Sequence, residues 1–260
     1  MYGIDARRRA LELAAEGNSL NTVSHRTGIS RWTIRKWQRQ PDPFLLHGEV
    51  PCPRCRPEAS RPDDHAAYAY LLGLYLGDGC ISPHPRRGGY YLRIACADAR
   101  PGLVTICREA VAATLPGRRE VRCVRKQGCV MVTSYSKHWP CLLPQHGPGK
   151  KHDRRIVLKF WQQEIVDEYP WEFARGLVHS DGCRITNWAT RTVAGERKRY
   201  EYPRYFFTNK SDDIRQLYTD TLDRLGVVWT HCTRDGKPYN ISVARRASVA
   251  LMDRYVGPKH

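Results

Sequence analysis

Leu71-Leu72-Gly73-Leu74-Tyr75-Leu76-Gly77-Asp78-Gly79 and Ala174-Arg175-Gly176-Leu177-Val178-His179-Ser180-Asp181-Gly182 are two copies of one pattern. Each runs small and apolar residues into Asp-Gly, then continues as Cys80-Ile81 in one copy and Cys183-Arg184-Ile185 in the other. The segments downstream repeat in the same order. Leu92 to Ile94 and Tyr205 to Thr208 read as strands. A helical stretch follows each, Leu103 to Leu115 and Asp212 to Leu225. Two more strand-like segments come next in each half. They are Val121 to Val124 and Gly128 to Thr133, then Val227 to Cys232 and Tyr239 to Val243. After a short helix, the halves close on related words, Gly147-Pro148-Gly149-Lys150-Lys151-His152 and Gly257-Pro258-Lys259-His260. A repeat this long means one fold used twice.

The spacing inside the motif has a physical reading. Gly73 and Gly176 let two helices touch with no side chain between them. Gly77 and Ser180 fall four residues on, on the same helix face. Such packing brings Asp78 and Asp181 together at the two helix C-termini. Gly79 and Gly182 are expected to end the helices in backbone conformations that other residues avoid.

The doubled motif resembles the LAGLIDADG homing endonuclease family in its single-chain, two-repeat form. The resemblance covers Ala66 to His260. The sixth motif position, often acidic in that family, is Leu76 in one half and His179 in the other. The resemblance implies an α+β fold. Two pseudo-symmetric αββαββα repeats, 66–152 and 153–260, would form a saddle over double-stranded DNA, all in one monomer. It also implies a site-specific double-strand DNA endonuclease with Asp78 and Asp181 as catalytic and metal-binding residues. Gly77 and Ser180 stand beside them, and Lys210, Asn209 and Lys137 are candidate catalytic neighbours. Lys237 and Arg245 are further candidates, and Ala97 and Asp98 occupy the first-half positions that match Asn209 and Lys210. Two carboxylates facing each other and the negative ends of two helix dipoles are expected to need divalent cations to be stable. Mg²⁺, or Mn²⁺, suits such oxygen ligands. DNA contacts on the sheets are expected from Arg93, Arg122, Arg125, Lys126, Arg199, Tyr200, Tyr202, Arg204 and Arg234.

Residues 1–45 carry a helix-turn-helix pattern. Ala6 to Ala15 is an amphipathic run closed by Gly17. Ser19 caps a second helix, Gly28 makes the turn, Ile29 plugs the core, and Ser30 caps a third helix, Arg31 to Arg39. Ile34 and Trp37 share its inward face. Arg31, Trp32, Arg35, Lys36 and Arg39 are then candidates for DNA contact. Residues 46–65 form a Pro-rich linker. In it Cys52-Pro53-Arg54-Cys55 is the half-site of many structural zincs, with His47, His65, Cys141 and His146 as possible further ligands.

Composition agrees with a polyanionic partner. Lys and Arg number 43 against 26 Asp and Glu, a net charge of +17. The longest apolar stretch, Ala66 to Gly77, is well short of the ~20 residues a membrane-spanning helix needs. Arg7, Arg8 and Arg9 precede no apolar core, so no signal peptide is read, and a bacterial cytoplasmic, nucleoid-associated protein is expected. Most of the 10 cysteines are expected to be small buried hydrophobes in a reducing compartment. Intein splicing residues are lacking, so a free-standing protein is expected. Two other functions remain open beside the endonuclease. One is a DNA-binding transcriptional regulator on a domesticated endonuclease fold without cleavage, a layout that resembles actinobacterial proteins. The other is an RNA-splicing maturase, which shares the fold.

Overall fold

The computed structural model describes residues 4–39, 61–84, 89–115, 120–234 and 236–260. Residues 4–39 form three helices, α1 (Ile4–Ala15), α2 (Leu20–Thr27) and α3 (Arg31–Arg39). Ser19 accepts a hydrogen bond from the Thr22 amide and Ser30 one from the Thr33 amide, so both later helices start on capping hydroxyls. Gly28, with φ of 67°, ends α2 in the left-handed region. Ala10, Leu13, Val23, Ile29 and Ile34 make a small core of their own, with Trp37 packed at its margin rather than sealed inside.

From His65 onward one order of elements occurs twice. The first repeat has α4 (His65–Asp78), β1 (Gly79–Pro83), β2 (Tyr90–Ala97), α5 (Pro101–Thr114), β3 (Val121–Lys126), β4 (Cys129–Ser136) and α6 (Trp139–Leu142). A 3₁₀ turn at Lys151–Asp153 and α7 (Phe160–Glu168) connect it to the second. There follow α8 (Pro170–Asp181), β5 (Gly182–Val193), β6 (Glu196–Thr208), α9 (Asp212–Arg224), β7 (Thr230–Arg234), β8 (Lys237–Val243) and α10 (Arg246–Tyr255). Both sheets are antiparallel with the same order, β1-β2-β4-β3 and β5-β6-β8-β7. The fold class is α+β, as the resemblance implied.

Each repeat has the expected order αββαββα. β1 and β5 start directly at Gly79 and Gly182, so each motif helix turns straight into a strand. β7 starts only at Thr230, because Val227 follows Gly226 at φ 67° and is buried as a loop residue.

Helix α4 is apolar on all sides and is buried on all sides, as that pattern requires. Asp64 caps its start by accepting from the Ala67 amide at 2.8 Å. It packs along α8, whose first residue, Pro170, needs no backbone donor. One core spans both repeats. Leu71, Leu72 and Leu74 from α4 meet Phe173 and Leu177 from α8, with Leu92, Ile94 and Val132 from one sheet and Tyr205, Phe207 and Ile241 from the other. Burial alternates strictly along β2 and β4, so each sheet has one face on this core and one open.

Of the described cysteines only Cys96 and Cys107 are buried, which corrects the expectation for most of them. Cys80 and Cys183 are exposed because strand alternation turns them away from the core side of β1 and β5.

Candidate active site beneath two open sheets

The contact between α4 and α8 is set by the small residues. A Cβ on Gly73 would stand 2.6 Å from the Phe173 carbonyl oxygen and 2.6 Å from the Leu177 amide. One on Gly176 would meet the Tyr70 carbonyl and come within 3.0 Å of the Gly73 Cα. Gly77 faces Ser180 across the same seam, and a Cβ there would lie 2.9 Å from Asp181 Oδ2. Nothing but glycine lets the two backbones come this close, and the approach continues to the helix ends, where Asp78 and Asp181 sit.

Gly79 and Gly182 need a different explanation from the one their sequence suggested. Their φ values are −89° and −105°, extended backbone open to any residue. A Cβ on Gly79 would instead stand 2.6 Å from Tyr75 Cα, and one on Gly182 2.8 Å from Val178 Cα. Space, not conformation, demands glycine at both.

Asp181 is half-buried and Asp78 exposed, and both carboxyls are held above their ordinary pKa. Asp181 has its pKa pushed up to about 6, first by burial and second by the charge of Asp78. Asp78 is raised by burial as well. Asn209 donates from Nδ2 to Asp181 Oδ2 at 2.6 Å and so fixes that carboxylate. Lys210 lines, with Asp181, Asn209, Gly77 and Lys151, an open cavity of about 430 Å³. Lys137 is exposed just past β4 and does not line it. Asp98 sits beyond the end of β2, where its amide meets the Gly128 carbonyl at 3.5 Å.

Two lysines reach the pair from elsewhere. Lys151 donates to the Gly77 carbonyl at 2.7 Å, and Lys259 donates to the Ser180 carbonyl at 2.7 Å. Each thus binds the residue just before a motif aspartate. Burial lowers the pKa of both, Lys151 down to about 8, while Asp78 and Asp181 pull in the opposite direction. These ammonium groups place countercharge beside the two carboxylates. The signal was present in the sequence. Both lysines belong to the repeated Gly-Pro words that close the halves, and only the fold shows that those words return to the motif.

His179 is 2 % exposed and is not part of this polar cluster. Its Nδ1 lies 2.9 Å from the Tyr70 hydroxyl, tying α8 to α4. Burial first, and the charge of Arg175 second, lower its pKa to about 4, so it is neutral at pH 7.

The open sheet faces carry the cations and aromatics. Register places Cys80, Ser82, Tyr91, Arg93, Arg122, Val124, Lys126, Thr133 and Tyr135 on one side of the first sheet, away from the core. Arg93 bonds Ser82 and lies over the Tyr91 ring. Arg122 pairs with Glu120 at 2.8 Å. Arg125 is exposed, but register turns it to the other side, opposite Val130. In the second sheet Arg204, Tyr202 and Tyr200 share the open face, whereas Arg199 alternates away from them and packs over Trp188. Arg234 ends β7.

On α3, Trp32 is 71 % exposed with the Lys36 ammonium over its ring, Arg35 is exposed, and Arg31 is held by Asn21 at 2.9 Å. Arg39 closes the helix. Cys52 and Cys55, His47 and most of the Pro-rich linker lie outside the described residues. His65 pairs with Glu168. Among the described residues no group of three or more His, Cys, Asp or Glu could hold a metal ion. Among them, too, no helix is long and apolar enough to cross a membrane.

No family model and no curated protein matches the chain by sequence. Among solved structures it is similar to I-DmoI in complex with DNA and Mn, with 15% identity and a TM-score of 0.45, over 75% of this chain and 98% of that one. It is similar to the LAGLIDADG meganuclease I-AabMI bound to uncleaved DNA, with 12% identity and a TM-score of 0.45, over 72% and 83% of the two chains. It is similar to the homing endonuclease I-WcaI bound to its DNA recognition sequence, with 11% identity and a TM-score of 0.46, over 76% and 83%. These three solved structures are LAGLIDADG homing endonucleases, and the likeness to each spans about three quarters of this chain.

Proposed function

We propose that the protein is a site-specific endonuclease that cuts both strands of a DNA duplex. One observation carries this reading. Two aspartates are forced together at the ends of abutting helices, one from each repeat. A protein that only bound DNA would gain nothing from two abutting carboxylates, which repel phosphate.

The donor set fits a divalent cation. Asp78 and Asp181 offer oxygen ligands, both with pKa raised first by burial, and the Gly77 and Ser180 carbonyls stand beside them. Mg²⁺ or Mn²⁺ bound there would neutralise phosphate charge and make a bound water acidic. The chain's own groups have separate tasks. Asn209 Nδ2 holds Asp181 Oδ2 so that the carboxylate cannot rotate away. The Lys151 and Lys259 ammonium groups, both partly desolvated, stabilise negative charge building on phosphoryl oxygens as the P–O bond breaks. Lys210 extends the same positive wall. With both carboxylates on one polypeptide, a monomer suffices for two strands. Residues 1–45 would add DNA affinity through Arg31, Trp32, Arg35, Lys36 and Arg39. A zinc at Cys52 and Cys55 would stiffen the linker, and one zinc per chain by elemental analysis would be its mark. The working compartment would be a bacterial cytoplasm, at the nucleoid.

A second reading is a DNA-binding regulator on the same fold, with Lys151 and Lys259 supplying countercharge to the two aspartates. Cleavage of a genomic plasmid library with Mg²⁺ or Mn²⁺, beside an Asp78→Asn, Asp181→Asn variant, decides between them. Discrete double-strand cuts by the wild type alone are expected. Specific binding with no cutting in either ion would establish the regulator.

A further inference from the structure

The two lysines beside the aspartates reach them on arms that are built differently. The Lys151 ammonium meets the Gly77 carbonyl at 2.7 Å and the face of the buried Tyr75 ring, 5.1 Å from its centre. A lysine is a point charge on a flexible stem, so the place of its ammonium depends on the backbone that carries it. That backbone comes through Gly147, Pro148 and Gly149, outside any helix or strand, and turns at Gly149 with φ of 76°. Arg154 gathers it. Its Nη1 donates to the Gly147 carbonyl at 2.5 Å and, over longer distances, to those of Pro148 at 3.2 Å and Gly149 at 3.4 Å. Its Nη2 donates to the Gln145 carbonyl at 3.0 Å. The start of the loop is tied to the core in turn. Gln145 Nε2 donates to Gln162 Oε1 at 2.6 Å, and Gln162 Nε2 donates to the buried Tyr68 hydroxyl at 2.6 Å.

Lys259 is held by other groups. Arg100 Nη1 donates to its carbonyl at 2.9 Å, and the Leu103 amide in the first turn of α5 donates to the His260 carbonyl at 2.9 Å. Gly102 makes room for this, since a Cβ there would stand 2.4 Å from the His260 ring. The two clamps have no residue in common. The two lysines also answer to different carboxylates. Asp181 acts on Lys151 more strongly than Asp78 does, whereas Asp78 is the stronger on Lys259. Lys151 lines the cavity that holds Asp181 and Asn209.

We propose that Arg154 is a positioning residue for the cutting of one DNA strand: by gathering the carbonyls of the Gln145–Gly149 loop it presents Lys151 to the Asp181 half of the site, and the Asp78 half does not depend on it. The inference rests on the endonuclease reading above. Arg154 is also within reach of solvent. An open cavity of about 430 Å³ between β1 and the loop is lined by Tyr75, Ser82, Gly147 and Arg154, so a small guanidinium compound can enter where the side chain is removed.

The test is single-turnover cleavage, in Mg²⁺, of a supercoiled plasmid carrying a site that the wild type cuts. The wild type is expected to give linear DNA with nicked circles only as a brief intermediate. Arg154→Ala should cut one strand within ~3-fold of the wild-type rate and the other ~100-fold more slowly, because a displacement on the order of 1 Å costs about that much. Nicked circles should then accumulate, with strand-specific end labels placing every nick on the same strand. The strand still cut shows that the variant is folded, and duplex affinity in Ca²⁺ should be unchanged. Arg154→Lys should remain slow on that same strand, since one ammonium cannot span four carbonyls. Ethylguanidinium should return at least ~10-fold of the loss to Arg154→Ala, while ethylammonium at the same concentration returns none. Two strands slowed equally, or neither slowed, would overturn the positioning role and leave the endonuclease reading intact. A wild type that cuts neither strand would overturn that reading and the role of Arg154 with it.

Discussion

Lys259, next to last in the sequence, donates from its ammonium to the carbonyl oxygen of Ser180 at 2.7 Å and so lies one residue from Asp181. Lys151 does the same for Gly77, one residue from Asp78. Replacing either lysine by Met keeps the length of the stem and removes the charge. Each variant is expected to lose at least ~100-fold in the cleavage rate while duplex affinity changes by less than ~10-fold. Single-turnover cleavage and a binding isotherm in Ca²⁺ measure the two separately. Equal losses in both would make the lysines general DNA anchors.

Gly176→Ala should destabilise the protein by about 3 kcal/mol, because its methyl would meet the Tyr70 backbone rather than a side chain that can move aside. Urea denaturation gives the number. Gly195→Ala, at the exposed tip of the hairpin where nothing lies within 4 Å, should cost far less, through its φ of +84° alone. Similar costs for the two would show that helix approach is not what demands glycine.

The carboxylate pair predicts a pH dependence of stability in metal-free buffer. Folding raises the Asp181 pKa from 3.8 to about 6, so its neutral form is favoured in the folded state. That contribution is fully present below pH ~4 and is lost as pH rises through about 6, amounting to at most about 3 kcal/mol. Denaturant midpoints measured between pH 3.5 and 7.5 should fall more steeply for the wild type than for Asp181→Asn. Mg²⁺ or Mn²⁺ should restore wild-type stability at pH 7 by binding the folded state alone, with little effect on the variant.

Within residues 4–39, Ile34→Ala should unfold the three-helix unit by removing one of the five residues in its core, at about 2–5 kcal/mol. Proteolysis of α1 to α3 with the rest of the chain intact is the expected sign. Arg35→Gln with Lys36→Gln should leave the unit folded and reduce the salt slope of duplex binding by about 2. An unchanged slope would mean that this helix face meets only solvent.

What was legible in the sequence was whatever depends on local order. The two motifs announced two packed helices because small residues four apart must share a face. The alternating segments near Leu92 and Tyr205 announced half-buried strands, and Ser19, Gly28 and Ser30 announced the ends of short helices. Asn209 is a candidate by its place after the motif, and its amide lies against Asp181. What the tertiary structure alone decided involves partners distant in the chain. Gly79 and Gly182 proved to be demanded by neighbouring backbone, since a φ angle and a lack of space both select glycine and no sequence distinguishes them. Trp188 and Arg199 look like any exposed strand residues until register shows that β6 leaves its sheet behind at Tyr205. Lys151 and Lys259 lie far from the aspartates whose charge they balance, and no periodicity predicts which ammonium a buried carboxylate will meet. Chain reversal through a shared core brought those groups together, so that opposite charge stands beside two charges of one sign.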